Sequence, residues 1–355
     1  MPETKPAWDE RTTLLRPPPP DPNKAPIENV LEVTELAILG PDIFTNAREP
    51  WHPPGARGIY GGSVIAQCLA SAQKTVPADF LVHSCHCYFL LAGSGTTPIL
   101  FHVERVRDGR SFATRTVQAR QRGRCIFTTT ISFTLEGSAG EGQVHHAAAL
   151  PEGVALPPRD WDEEAEWEKH GPVQTLTVAR GEEDDERVPL DRRRHMRWSR
   201  MRGTISEAGG HQAHLNALAY MSDSWFIGTV SRLHRLWRMP FAPSDVAELP
   251  DSVRAQVTSI LAGDGFTEAD GPAAWEERPR LGMMVSLDHS IYFHAPRRVR
   301  ADEWMLSEMQ SPWSGDGRGF VVQKIFAADG TLLASCMQEG VVRLDSKGRE
   351  KGAKM

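Results

Sequence analysis

From Gly61 to Ala72 the chain is apolar or small at nearly every position (Gly-Gly-Ser-Val-Ile-Ala-Gln-Cys-Leu-Ala-Ser-Ala). A run with no polar stripe predicts a helix buried on all sides, and its small residues predict that a curved sheet can wrap close around it. The period then changes from helical to alternating. Strand-like segments are expected at 81–90, 98–107, 111–121 and 124–135. The same order returns later, with Gln212–Trp225 read as a second helix and strands at 281–294, 303–310, 318–327 and 331–344.

The two halves also share wording. Arg107-Asp108-Gly109-Arg110-Ser111-Phe112 is echoed by Gly315-Asp316-Gly317-Arg318-Gly319-Phe320, and each phrase opens an alternating stretch. Upstream of each lies a segment with His, an aromatic and Phe close together, 82–89 and 286–293. This is an internal duplication. A fused ancestral dimer lets one half keep the chemistry while the other supplies walls.

At 355 residues the chain is long for one core and comfortable for two domains. Residues 1–26, with Pro17–Pro20 in a row, read as a disordered or extended arm. The expected domains are 27–136 and 172–345, joined by a Gly-, Pro-, Ala- and acid-rich linker at 137–171 and followed by a flexible tail at 346–355. Residues 181–194 read as a charged surface loop and 241–280 as an insertion over the second helix.

Composition narrows the function. A hydrophobic content of 40% with 10 Trp and 13 Phe is that of a globular protein, and a net charge of −6 points away from nucleic acid. No run approaches the ~20 apolar residues of a membrane span, and the polar N-terminus lacks a signal-peptide core. Five cysteines without metal-site spacing suit a reducing compartment. The expectation is a soluble protein made in the cytosol.

Several residues invite a chemical reading. Asp223 lies in a largely apolar stretch, 218–227, where a carboxylate is costly unless partnered or used; the plainer alternative is that Ser222-Asp223 caps or breaks the helix. The corresponding helix of the first half contains no Asp or Glu. Gln338 sits in the final strand where the first half has Ile131 or Ser132. Period-two alternation puts Ser286 and Asp288 on one side of their strand and His289 on the other, which rules out a local Ser-His-Asp triad. Gly61-Gly62-Ser63-Val64-Ile65 lacks the closing Gly of a nucleophile elbow. His83, Cys85, His86 and Cys87 do not share one strand face, so no metal is expected. Arg105, Arg107, Arg110 and Arg115, with Arg318 in the second half, hint at an anionic ligand.

Taken together, Gly61-Gly62 with Gln67, the stretch Val82 to Leu90, Arg107 to Phe112, Tyr220-Met221-Ser222-Asp223, Ser286-Leu287-Asp288-His289 and Gln338-Glu339-Gly340 resemble the type II acyl-CoA thioesterases. The similarity covers about residues 28–136 and 172–344. It implies an α+β double hotdog: two long helices, each wrapped by an antiparallel sheet, with the sheets side by side. It also implies an Asp, a Ser or Thr and a Gln that hold a catalytic water, falling here on Asp223, Ser286 and Gln338. Acyl-CoA is then the substrate, attacked directly by water without a cofactor or metal. Gly61 and Gly62, as oxyanion donors, and Arg107 and Arg110 are candidate substrate contacts.

Two rivals are weighed. A hotdog hydratase would pair Asp with a nearby His, but the next His after Asp223 is His234. A catalytically silent acyl-CoA-binding protein would have no need to retain all three polar positions. The terminal Ala353-Lys354-Met355 resembles a peroxisomal address on a polar, Gly-containing tail, implying an import receptor as partner and the peroxisomal matrix as destination; if the tripeptide is not read, the protein stays cytoplasmic. A hotdog sheet edge also makes a homo-oligomer an expectation.

Overall fold

The computed structural model describes residues 17–51, 58–164, 169, 171–178, 187–264, 266 and 271–345. The chain divides into two compact units. The first comprises residues up to His146, Met201–Ser222 and Pro296–Asp302; the second comprises Ala147–Arg200, Asp223–Ala295 and Glu303 onward.

The first unit begins with the helix α1 (Pro26–Leu31), the short strands β1 (Val33–Glu35) and β2 (Ile43–Asn46), and the helix α2 (Gly61–Gln73). Four long strands follow, β3 (Phe80–Phe89), β4 (Leu100–Asp108), β5 (Phe112–Gln121) and β6 (Arg124–Leu135). They form an antiparallel sheet in the order β1-β2-β4-β5-β6-β3. Every residue of α2 from Gly62 to Gln73 is buried, as expected of a helix apolar on all sides. Its Ile65 and Leu69 are fully buried, as are Phe101, Val117, Ile131 and Phe133 of the strands β4, β5 and β6 on which the helix packs. Burying side chains of this size contributes roughly 1.5–3 kcal/mol each.

The helix α3 (Gly210–Ser222) groups with this first unit, which differs from the division at 172–345 expected from chain order. The cause is close helix packing on glycine. A β-carbon at Gly62 would lie 2.4 Å from the Tyr220 carbonyl oxygen, so only glycine admits the approach. The Tyr60 hydroxyl donates to the same carbonyl at 2.8 Å.

A further difference concerns the described part of the expected arm, since residues 1–16 lie outside the described residues. Residues 17–25 are held in place, because the Arg48 guanidinium donates to the carbonyls of Pro18 and Pro19 at 3.2 and 2.9 Å. The Asp21 backbone N–H also donates to the Asn29 side chain at 2.8 Å. Carbonyls in a proline run have few N–H groups of their own to pair with, and a planar guanidinium can gather several at once.

The second unit has strands β7 (Val173–Thr177), β8 (Arg194–Met201), β9 (Leu281–Ser286), β10 (Asp288–Phe293), β11 (Met305–Gly315), β12 (Arg318–Ala327) and β13 (Leu332–Leu344). Their order is β10-β13-β12-β11-β8-β7, and β9 also pairs with β13. The echoed phrase Gly315–Phe320 forms the β11–β12 hairpin, with Asp316 and Gly317 at φ 49° and 70°, the left-handed pair that a two-residue turn requires. The helix α4 (Gly228–Leu233) packs on β11 and β12. Residues 137–164 of the expected linker have no helix or strand, yet Leu150, Val154 and Trp161 pack against Trp198, Trp304, Leu306 and Phe326. The region read as an insertion contains α5 (Asp251–Gly263) and α6 (Gly271–Glu276) and has its own apolar cluster around Trp237, Phe266 and Trp275.

Candidate functional site

Asp223 directly follows the last residue of α3, in the turn Asp223–Ile227 that leads into α4. The plainer reading of Ser222-Asp223 as a helix end is therefore what the backbone does. The turn is unusual, because Trp225 adopts φ 63°, a conformation uncommon outside glycine. Two guanidinium groups lie over its indole, Arg197 at 4.1 Å and Arg232 at 4.8 Å from the ring centre. Thr229 Oγ1 and Arg232 Nη1 both donate to the Trp225 carbonyl at 3.4 Å. Arg232 is almost wholly buried, which pushes its pKa down to about 10, and it is kept in ion-pair distance of Asp264 at 3.0 Å. Arg238 pairs with the same carboxylate. These contacts hold a strained turn and, with it, the position of Asp223.

Opposite this turn, β13 presents Gln338, which is fully buried. Its Nε2 donates to Asp223 Oδ1 at 2.7 Å and lies 3.1 Å from His289 Nδ1. The Asp223 side chain is 8% exposed. Gln338 Oε1 is buried and, among the described residues, has no hydrogen-bond partner. His289 is fully buried with the Phe226 ring edge-to-face at 5.4 Å, and burial pushes its pKa down to about 3. A neutral imidazole protonated on Nε2 accepts at Nδ1 from the amide nitrogen, which can only donate.

The side of the strand on which His289 falls differs from the alternation expected from sequence. Ser286 pairs with Gly340 and Ser290 pairs with Met337, so four steps along one strand match three along β13. One extra residue is inserted at the β9–β10 junction, a β-bulge. Asp288 stabilises it, its Oδ1 accepting the Glu339 backbone N–H at 2.8 Å while burial pushes its pKa up. Glu339 is paired in turn with Arg318 at 2.8 Å. The bulge resets the alternation, and His289 comes to the face that carries Gln338. A strictly periodic reading misses this residue; the excess of one position between the two strand pairings is visible only in the sheet.

Ser286 is half-buried, directly across from Gly340, which lies two residues beyond Gln338 and thus on the same face of β13. Gly340 is tight against Ile227, so this face looks toward the turn that carries Asp223. Asp223, Gln338 and Ser286 thus belong to one unit and lie on one side of its sheet. The remaining candidates lie in the first unit. Gly61 and Gly62 open α2, where Gly62 is explained by helix packing, while Arg107 and Arg110 are exposed at the β4–β5 turn. Arg115, by contrast, is wholly buried, donating to Thr75 and the Asp108 carboxylate. In the His-Cys stretch, His83 meets Ser132 at 2.8 Å, and Cys85 and Cys87 pack on Thr129 at 3.2 and 3.3 Å. Among the described residues no three His, Cys, Asp or Glu side chains are gathered as a metal site.

Two antiparallel sheets, each preceded in the chain by a long helix, make the duplicated arrangement of an α+β double hotdog protein. Residues 47–134 match the family model of the acyl-CoA thioesterase N-terminal domain and residues 151–342 that of the C-terminal domain. The chain belongs to the acyl-CoA thioesterase family, whose members are thioester hydrolases. It is 32% identical to human acyl-coenzyme A thioesterase 8, over 89% of each chain. It is 25% identical to the peroxisomal acyl-coenzyme A thioester hydrolase 1 of Saccharomyces cerevisiae, over 90% of this chain and 96% of the other. The crystal structure of an acyl-CoA thioesterase II, TesB2, from Mycobacterium marinum matches with a TM-score of 0.62 and 29% identity, covering 90% of this chain and 99% of that one.

Proposed function

We propose that the chain hydrolyses acyl-CoA to a free fatty acid and CoA, with Asp223, Gln338 and Ser286 holding and activating the water. The observation that carries this reading is the buried Asp223–Gln338 pair at 2.7 Å, with Gln338 Oε1 left as an acceptor that no group among the described residues uses. Water supplies the missing donor. Asp223 takes one proton from it, Gln338 Oε1 and the Ser286 hydroxyl orient it, and its oxygen forms a bond to the thioester carbon. Collapse of the tetrahedral intermediate breaks the carbon–sulfur bond, and the CoA thiolate leaves with the proton returned by Asp223. No covalent acyl-enzyme and no cofactor takes part.

The peroxisome is the proposed destination. Ala353-Lys354-Met355, which lies outside the described residues, resembles the receptor-read address, and a relative from yeast carries the word peroxisomal in its name.

The test is release of CoA thiol from a panel of short, medium and long acyl-CoAs by the protein and its Asp223→Asn variant. General-base help of this kind is worth about 10²–10⁴-fold, and the variant is expected to lose that much in kcat with its fold intact. A fully active Asp223→Asn removes Asp223 from the mechanism. A folded wild-type chain that binds acyl-CoA and releases no thiol supports a silent binding protein instead.

A further inference from the structure

The Gln338 amide has a task that requires orientation, and one hydrogen bond cannot supply it. With only Asp223 as partner, the amide plane is free to turn about the line joining Nε2 to Oδ1, carrying Oε1 with it. A second acceptor for the other amide hydrogen removes that freedom. His289 Nδ1 is such an acceptor at 3.1 Å. Exchanging the amide oxygen and nitrogen would set Oε1 against the Asp223 carboxylate and against the imidazole lone pair, two repulsive contacts in place of two hydrogen bonds. The imidazole is itself fixed by complete burial and by the Phe226 ring. It stands 4.0 Å from Asp223 Oδ1, beyond hydrogen-bond range, so it does not serve as a relay to the carboxylate. The bulge held by Asp288 turns His289 to this face.

We propose that His289 is a positioning residue for hydrolysis, accepting the second amide hydrogen of Gln338 and so holding Gln338 Oε1 as the acceptor for the attacking water. The inference rests on the mechanism proposed above for Asp223 and Gln338. It makes the extra residue at 287–288 a functional feature of the strand, because an unbulged strand would direct His289 away from Gln338.

The experiment measures kcat and KM for His289→Leu and His289→Asn, each alone and combined with Gln338→Ala. Misplacing a catalytic contact by about 1 Å can cost about 10²-fold, so His289→Leu is expected to lower kcat by roughly 10–100-fold with KM nearly unchanged. Asn places its side-chain oxygen close to the former Nδ1, and His289→Asn is expected to recover most of that loss. On a Gln338→Ala background His289→Leu is expected to add little, since its partner is gone. Wild-type kcat in His289→Leu, no recovery in His289→Asn, or full multiplication of the two losses overturns the inference alone. Wild-type kcat in Gln338→Ala instead removes the mechanism, and the inference falls with it. Should His289→Leu not fold, His289→Gln, whose amide reaches the Nε2 position, replaces it; equal kcat for the Asn and Gln variants overturns the inference.

Discussion

The Gln338 amide and the Asp223 carboxylate meet at 2.7 Å across 115 positions of sequence, joining the last strand of the second sheet to the turn after α3. The pair is asymmetric: the amide donates, and the carboxylate needs no proton to accept. Gln338→Glu keeps the shape and reverses this logic. Two carboxylates at this distance in a buried site cannot both ionise easily, so one is held protonated well above its ordinary range. Activity near neutral pH is expected to fall by at least about 10²-fold. The variant's melting temperature is expected to drop as pH rises from about 5 to 8, where repulsion sets in, and scanning fluorimetry across that range checks it.

Burial lowers the His289 pKa to about 3, well under its ordinary value of 6.5. Between those values the unfolded chain binds a proton there and the folded chain does not. Stability therefore falls as pH drops from about 6.5 toward 3, by up to about 1.4 kcal/mol per unit from this one group. Urea unfolding of the protein and of His289→Asn at pH 6, 5 and 4 isolates the effect; the variant is expected to have the shallower dependence.

Asp264 neutralises two guanidinium groups, Arg232 and Arg238, at a site where its own side chain is only 3% exposed. Asp264→Asn leaves buried positive charge without a counter-ion. Breaking a buried pair in this way costs about 3–5 kcal/mol, expected as a lower unfolding midpoint in urea. Because Arg232 also supports the Trp225 turn, kcat is expected to fall along with stability.

Gly62→Ala tests the helix packing of the first unit. The added carbon would lie 2.4 Å from the Tyr220 carbonyl and 2.5 Å from the Tyr60 ring, so one helix must shift. Overpacking of this kind costs about 1–3 kcal/mol, and calorimetry is expected to record a lower melting temperature.

A fluorescent fusion ending in the native tail is expected in peroxisomes, and one lacking Ala353-Lys354-Met355 in the cytosol. Cytosolic fluorescence from both would refute the address.

Local pattern made much of this fold legible. The all-apolar run at 61–72 is the buried α2, and the alternating stretch at 124–135 is β6 to the residue. The short strands β1 and β2 and the helices α5 and α6 leave no comparable pattern in the sequence. Elements of three to six residues, such as β1 and β2, carry too few periods to stand out, and α5 and α6 lie in a stretch whose Gly, Pro and acidic residues mask helical periodicity. The candidate Asp223 was visible as an acid out of place, and Gln338 as a polar residue where the first half has an apolar or small one.

The sequence by itself determined the duplicated order of helix and strands, the family to which the chain belongs, and the polar residues that distinguish the second copy, because these depend on residue type and local spacing. Tertiary structure decided two things. The Gly62–Tyr220 approach placed α3 in the first unit, and the bulge after Ser286 moved His289 onto the Gln338 face. Both turn on how segments far apart in the chain register against one another. A strand's side-chain period is two, so one extra residue exchanges its faces, and only pairing with β13 decides where that residue goes.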